Sequence, residues 1–270
     1  MNATEKLLSS LHPFPPQEEF FRAKARRIAY GGARGGGKSF AMRAKLVLLA
    51  LRYPGIQILL LRRSFPELRE NHINPLRRWL YGIAHFREST KEFIFPSGSR
   101  IKLGYLAEES DSLQYQGQAY EVIGMEEATQ FTENQYYAMT ECCRLSGAMR
   151  EKFVPRMYFT MNPGGVGHAW VKRLFIDRDY REGECPEDYV FIPSTVYDNR
   201  YLLSENPETF MWVSPASQKI LDRYSLVQKK CIDNKKIYKD VIIYKDGYKL
   251  SDLDKHFITA LCGSRRKFIK

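Results

Sequence analysis

Gly32-Ala33-Arg34-Gly35-Gly36-Gly37-Lys38-Ser39 stands between the apolar run RRIAY (26–30) and the amphipathic stretch AMRAKLVLLAL. The spacing G-x-x-x-x-G-K-S is therefore set between a predicted strand and a predicted helix over 38–51, the context in which it binds phosphate. Glycine at 32, 35, 36 and 37 lets successive backbone N–H groups turn toward one point. The helix start adds its partial positive charge there. Lys38 is then placed to reach the β- and γ-phosphates of ATP, and the Ser39 hydroxyl to ligate Mg²⁺. The alternative, a merely flexible glycine-rich loop, does not account for the strand and helix on either side.

Working outward, IQILLL (56–61) is apolar throughout and bounded by Pro54-Gly55 and Arg62-Arg63, which predicts a strand buried on both faces. PELRENHINPLRRWL reads as helical with a break at Pro75. KEFIFPSGSRIKLGY reads as a hairpin turning at 96–99. YEVIGM (120–125), RMYFTM (156–161) and YVFIPST (189–195) predict three more strands, and TENQYYAMTECCRL a helix. Short apolar runs alternating with longer amphipathic ones predict an α/β fold: a P-loop NTPase with a central, mostly parallel sheet flanked by helices. No internal repeat or low-complexity tract interrupts this pattern.

Nucleotide hydrolysis needs a carboxylate for the metal and another to polarise water, at the end of a buried strand. Glu126 and Glu127 follow YEVIGM in that position. In this reading Glu126 is the metal-side carboxylate and Glu127 the general base. The same pair would also suit the acidic first turn of a following helix; the phosphate loop upstream favours catalysis.

The net charge of +11 is unevenly spread. Residues 1–212 carry net +3 and use mainly Arg, whereas residues 213–270 carry net +8, use mainly Lys and contain no Glu. The basic excess points to a polyanionic partner. No stretch approaches the ~18 apolar residues of a membrane span, and the N-terminus lacks the pattern of a signal peptide, so no membrane association is expected. The five cysteines show no metal-ligand spacing and read as reduced structural thiols.

Together these motifs resemble the large subunit of tailed-bacteriophage terminase, over about residues 14–210. GGARGGGKS is similar to the terminase phosphate loop with its early basic residue, here Arg34. IGMEEATQFTENQY is similar to its acidic strand, and TMNPGG to its coupling motif, with Thr160 and Asn162 at the polar positions. Gln17, with Phe20 or Phe21, resembles the upstream adenine-contact motif. RRSFPELRE and TVYDNRYL also resemble terminase segments. The resemblance implies an ATPase motor that translocates double-stranded DNA into a procapsid. It implies a homo-oligomeric ring, with a portal protein and a small terminase subunit as partners. The setting it implies is the host cytoplasm, transiently on the procapsid. It also implies a catalytic arginine on the transferred phosphoryl group, Arg34 in cis, with Arg100 and Arg144 as candidates in trans. The family usually has Asp where this chain has Glu126, one methylene longer.

The resemblance stops near residue 210. Residues 213–270 are too few for the nuclease domain of such subunits, and their aspartates sit among lysines without its pattern, so no nuclease activity is predicted. The expected division is an ATPase domain over 1–212 and a short basic C-terminal segment over 213–270. That segment reads as a nucleic-acid contact surface, a solvated Lys-rich face, or foreign coding sequence appended to the ATPase domain. Two other functions stay open. One is another P-loop DNA translocase, helicase-like or RecA-like. The other is a truncated product that binds nucleotide or DNA without packaging.

Overall fold

Two short helices, α1 (Ala3–Ser10) and α2 (Pro15–Arg22), lead into strand β1 (Arg27–Gly32), and the phosphate loop follows it into helix α3 (Lys38–Arg52). The computed structural model describes residues 2–32, 35–146, 149, 152–195 and 198–205. The chain continues through β2 (Gln57–Arg62), α4 (Phe65–Leu68), a widened π-type turn (Arg69–Ile73) and α5 (Asn74–Trp79). A meander of β3 (His85–Arg87), β4 (Glu92–Ile94) and β5 (Arg100–Tyr105) comes next, then β6 (Val122–Met125) and α6 (Glu133–Cys142). Strand β7 (Arg156–Met161), helix α7 (His168–Lys172) with a second π-type turn (Arg173–Asp177), β8 (Tyr189–Ser194) and α8 (Arg200–Glu205) complete the described chain.

The strands form one eight-stranded sheet in the order β3-β4-β5-β2-β6-β7-β1-β8. From β5 to β8 every neighbouring pair is parallel, and β3 and β4 extend one edge antiparallel. Alternation along each strand sorts side chains between two cores, because successive residues point to opposite faces. Ile28, Tyr30, Ile58, Leu60 and Tyr158 pack with Met42 and Leu46 of α3. Ala29, Leu59, Leu61, Ile123 and Phe159 pack with Tyr136 of α6 and Trp170 of α7. The sheet is buried on both faces, as the continuous apolar run of β2 requires.

The α/β fold and parallel sheet expected from the sequence are present, and the hairpin at 96–99 joins β4 to β5 as read. One expectation is corrected: Pro75 does not break the helix. The backbone stays right-handed helical through Ile73 and Asn74, and the Asn71 carbonyl, which the missing Pro75 N–H leaves free, accepts from Arg43 instead. The preceding turn widens to take up the ring, with the N–H of Asn74 donating to the carbonyl of Arg69. Strand β6 starts at Val122, two residues later than read, and Tyr120 makes only an isolated bridge to Cys143. The described cysteines, Cys142, Cys143 and Cys185, carry free thiols. Among the described residues no helix is long and apolar enough to cross a membrane. Residues 213–270, read above as a separate basic segment, lie outside the described residues.

Candidate functional site

Parallel pairing brings the carboxyl ends of β2, β6, β7, β1 and β8 to one edge of the sheet, where ligands of open α/β sheets bind. A cavity of about 640 Å³ opens there. Its wall includes Gly35, Gly37, Lys38 and Ser39 from the loop and helix α3, together with Glu127, Asn162 and Arg62.

The loop is shaped by what holds its carbonyls. Asn199 Nδ2 donates to the Gly35 carbonyl at 2.6 Å. Tyr30 Oη and Ser194 Oγ donate to that of Gly36 at 3.0 and 2.9 Å. Gln17 Nε2 donates to that of Gly37 at 3.2 Å. A peptide N–H points opposite to its carbonyl, so tying three consecutive carbonyls to the scaffold directs the N–H groups of Gly36, Gly37 and Lys38 away from it. That arrangement could hold an anion at the start of α3. Glycine is required twice over: Gly37 sits at φ +70°, and a Cβ on Gly36 would overlap Ser194 Oγ.

The two glutamates are adjacent but occupy different chemical environments. Glu127 lines the cavity. Its N–H donates to Thr160 Oγ1 at 3.0 Å, and both its carboxylate oxygens accept from Asn162 Nδ2 at 2.9 Å. Its backbone is left-handed, φ +55°, a conformation that costs a residue with a Cβ about 1 kcal/mol or more and concentrates at functional sites. Thr160 is fully buried, and the Asn162 carbonyl accepts from Thr129 Oγ1 at 2.9 Å. The two polar positions of TMNPGG thus hold Glu127 in place.

Glu126 is fully buried behind this wall. Its Oε2 meets His72 Nε2 and lies 3.3 Å from Arg62 Nη1. Burial alone would raise its pKa; the charge and hydrogen bond of His72, then Arg62 and the Ser39 hydroxyl, outweigh that and hold it down to about 2. Its other oxygen, Oε1, is buried with no hydrogen-bond partner of ordinary geometry. An ionised carboxylate with an unused oxygen beside the Ser39 hydroxyl is a hard-oxygen donor set that could hold Mg²⁺, which commonly takes one or two carboxylates and completes its shell with water and phosphate. Among the described residues no cluster of three or more His, Cys, Asp or Glu suits a metal by itself.

Other sequence-selected residues fall elsewhere. Gln17 is buried and does not line the cavity; with Nε2 on Gly37 and Oε1 accepting from the Phe14 N–H, it braces the loop. Arg100 opens β5, bordering a separate cleft with Gln57 and Glu92. Arg144 Nη2 donates to the Gly117 carbonyl at 3.1 Å. Neither reaches the cavity of its own subunit. Arg34 lies outside the described residues. Sequence reasoning missed Arg62, Asn199, His72 and Arg43. The first two sit in segments already noted for their resemblance, RRSFPELRE and TVYDNRYL, and Arg62 at the carboxyl end of a buried strand was the available signal.

Residues 24–210 match the phage terminase large subunit family. No curated protein matches the chain. Among solved structures, the large terminase of a thermophilic bacteriophage aligns at 19% identity and a TM-score of 0.59, over 74% of this chain and 50% of that one. The ADP complex of a large terminase from the same source aligns at 20% identity and 0.55, over 79% and 50%. The chain thus spans about half the length of those terminases. The large terminase ATPase domain of Thermus phage P74-26 aligns at 14% identity and 0.54, over 81% of this chain and 94% of that domain. At these identities the structural likeness speaks for the fold.

Proposed function

Because this chain belongs to the phage terminase large subunit family, we propose that it is an ATP-hydrolysing motor segment that drives double-stranded DNA into a procapsid. One observation carries the reading: the phosphate loop and the hydrogen-bonded Glu127–Asn162 pair line a single cavity. In this reading the loop N–H groups and Lys38 bind the β- and γ-phosphates of ATP and offset their charge. Glu127, aimed by Asn162 and by its bond to Thr160, accepts the proton of the attacking water. Ser39 and Glu126 would hold Mg²⁺, which would supply positive charge against that of the phosphates. Arg62, on the same wall, adds a fixed cation from within the subunit. Gln17 acts by holding Gly37, and Asn162 and Thr160 link the state of Glu127 to the loop after β7.

The partners in this proposal are those of the family: a portal protein, a small terminase subunit and further copies in a ring, in the host cytoplasm and on the procapsid. Arg34 serves in cis, and Arg100 or Arg144 could enter a neighbour's cavity only across a subunit boundary. The ATPase work is assigned to residues 1–212. The test is phosphate release from the full chain with Mg²⁺ and ATP, with and without linear duplex DNA. Mg²⁺-dependent turnover stimulated by DNA supports the motor reading. Turnover indifferent to DNA would reduce the chain to an ATPase without a packaging role.

A further inference from the structure

His72 belongs neither to the phosphate loop nor to the acidic strand, yet its ring is fully buried and its Nε2 meets Glu126 Oε2. It is carried there by the widened turn Arg69–Ile73, in which Glu70 and Asn71 are exposed while His72 and Ile73 are buried. Such turns are frequent at functional sites because they redirect one side chain without ending the helix. The turn is tied to the phosphate-loop helix: Arg43 of α3 donates to the Asn71 carbonyl and packs its guanidinium 5.2 Å over the Trp79 ring. Helix α3 therefore fixes Ser39 directly and His72 through Arg43.

The carboxylate between them has a particular need for such a hold. Glu126 has one more rotatable bond than an aspartate, so ordering it around a cation costs more side-chain entropy. With Oε2 taken by His72 and Arg62, the carboxylate is oriented before anything binds, and Oε1 keeps no hydrogen-bond partner of ordinary geometry. We infer that His72 is a positioning residue that fixes Glu126 so that Oε1, together with Ser39, is presented to Mg²⁺. This rests on the nucleotide-site reading above.

A merely structural His72 would affect folding and nucleotide binding with or without metal; a positioning His72 acts on the metal-dependent part. The test is binding of a fluorescent, non-hydrolysable ATP analogue to the full chain, in EDTA and across a Mg²⁺ titration. His72→Leu should raise the Mg²⁺ midpoint about tenfold or more, the usual scale for losing a group that orients a metal ligand, and leave metal-free affinity within about twofold. His72→Gln, which keeps an N–H donor, should recover most of the shift. An unchanged midpoint in folded His72→Leu, or equal losses with and without Mg²⁺, overturns the inference. Should His72→Leu fail to fold, His72→Asn decides: its shorter amide falls short of Glu126 Oε2 and leaves the carboxylate itself intact, so a raised midpoint with unchanged metal-free affinity supports the inference and an unchanged midpoint overturns it. A parent chain that binds no analogue under either condition instead overturns the nucleotide-site reading itself.

Discussion

Glu127 is held at both carboxylate oxygens by one amide, and its neighbour Glu126 is buried in an ion pair, so the two should respond differently to loss of charge. Glu127→Gln is expected to bind ATP normally and to lose hydrolysis by roughly 10²–10⁴-fold, the range for removing a general base. Nucleotide titration and single-turnover phosphate release on the same protein check this; comparable losses in both would contradict it. Lys45 gives a second residue-scale prediction, away from the chemistry. Its ammonium is buried, donating to the Phe21 carbonyl at 2.5 Å beside the Tyr158 ring, and burial first, then Arg156 and Arg52, lowers its pKa to about 8. A base with a lowered folded pKa binds fewer protons folded than unfolded between about 8 and the ordinary lysine value of 10.5. Stability should therefore rise with pH across that window, with the penalty present in full below it. The melting temperature of the parent should climb relative to Lys45→Met from pH 8 to 10; parallel curves would contradict the burial argument.

At the scale of elements, the phosphate loop owes its shape to strands and helices that grip its carbonyls from outside. Gly36→Ala should abolish nucleotide binding because its methyl overlaps Ser194 Oγ, and adding Ser194→Gly should restore part of it. Binding that is intact in Gly36→Ala, or unimproved in the double variant, would contradict the close packing of Gly36 against Ser194. Most strands were legible as short apolar runs bounded by turn or charged residues, whereas β3 (His85–Arg87), three residues long and mostly polar, was not read; the loop was legible because Gly-Lys-Ser spacing follows from phosphate geometry. The widened turn at Arg69–Ile73 was not legible: a helical pattern with an internal proline reads equally as a break, and only packing against α3 decides between them. His72, Arg43 and Asn199 carry no local signature, since their roles arise from contacts between residues 28 to 164 positions apart. Gln17 was found by resemblance, but its hydrogen bonds to Phe14 and Gly37 appear only in three dimensions.

For the whole molecule, the parallel sheet gathers five strand ends onto one cavity, and among the described residues its last strand ends at Ser194, within the proposed ATPase domain of residues 1–212. A chain ending at Trp212 should fold and keep its ATPase rate, because few core contacts should cross that boundary. It should bind duplex DNA more weakly than the full chain at low salt, the missing segment carrying +8 of the +11 net charge, and the difference should shrink steeply as salt rises. Insolubility of the shorter chain would make residues 213–270 part of the core, and equal DNA binding at low salt would deny the segment a role in contact. Whether the loop at Gly32–Ser39 works with Glu127 to hydrolyse ATP is decided by phosphate release from the purified full chain beside its Lys38→Ala variant, at saturating ATP and Mg²⁺. Removing the Lys38 charge should abolish turnover while leaving the melting temperature nearly unchanged. Wild-type turnover in Lys38→Ala would contradict the account.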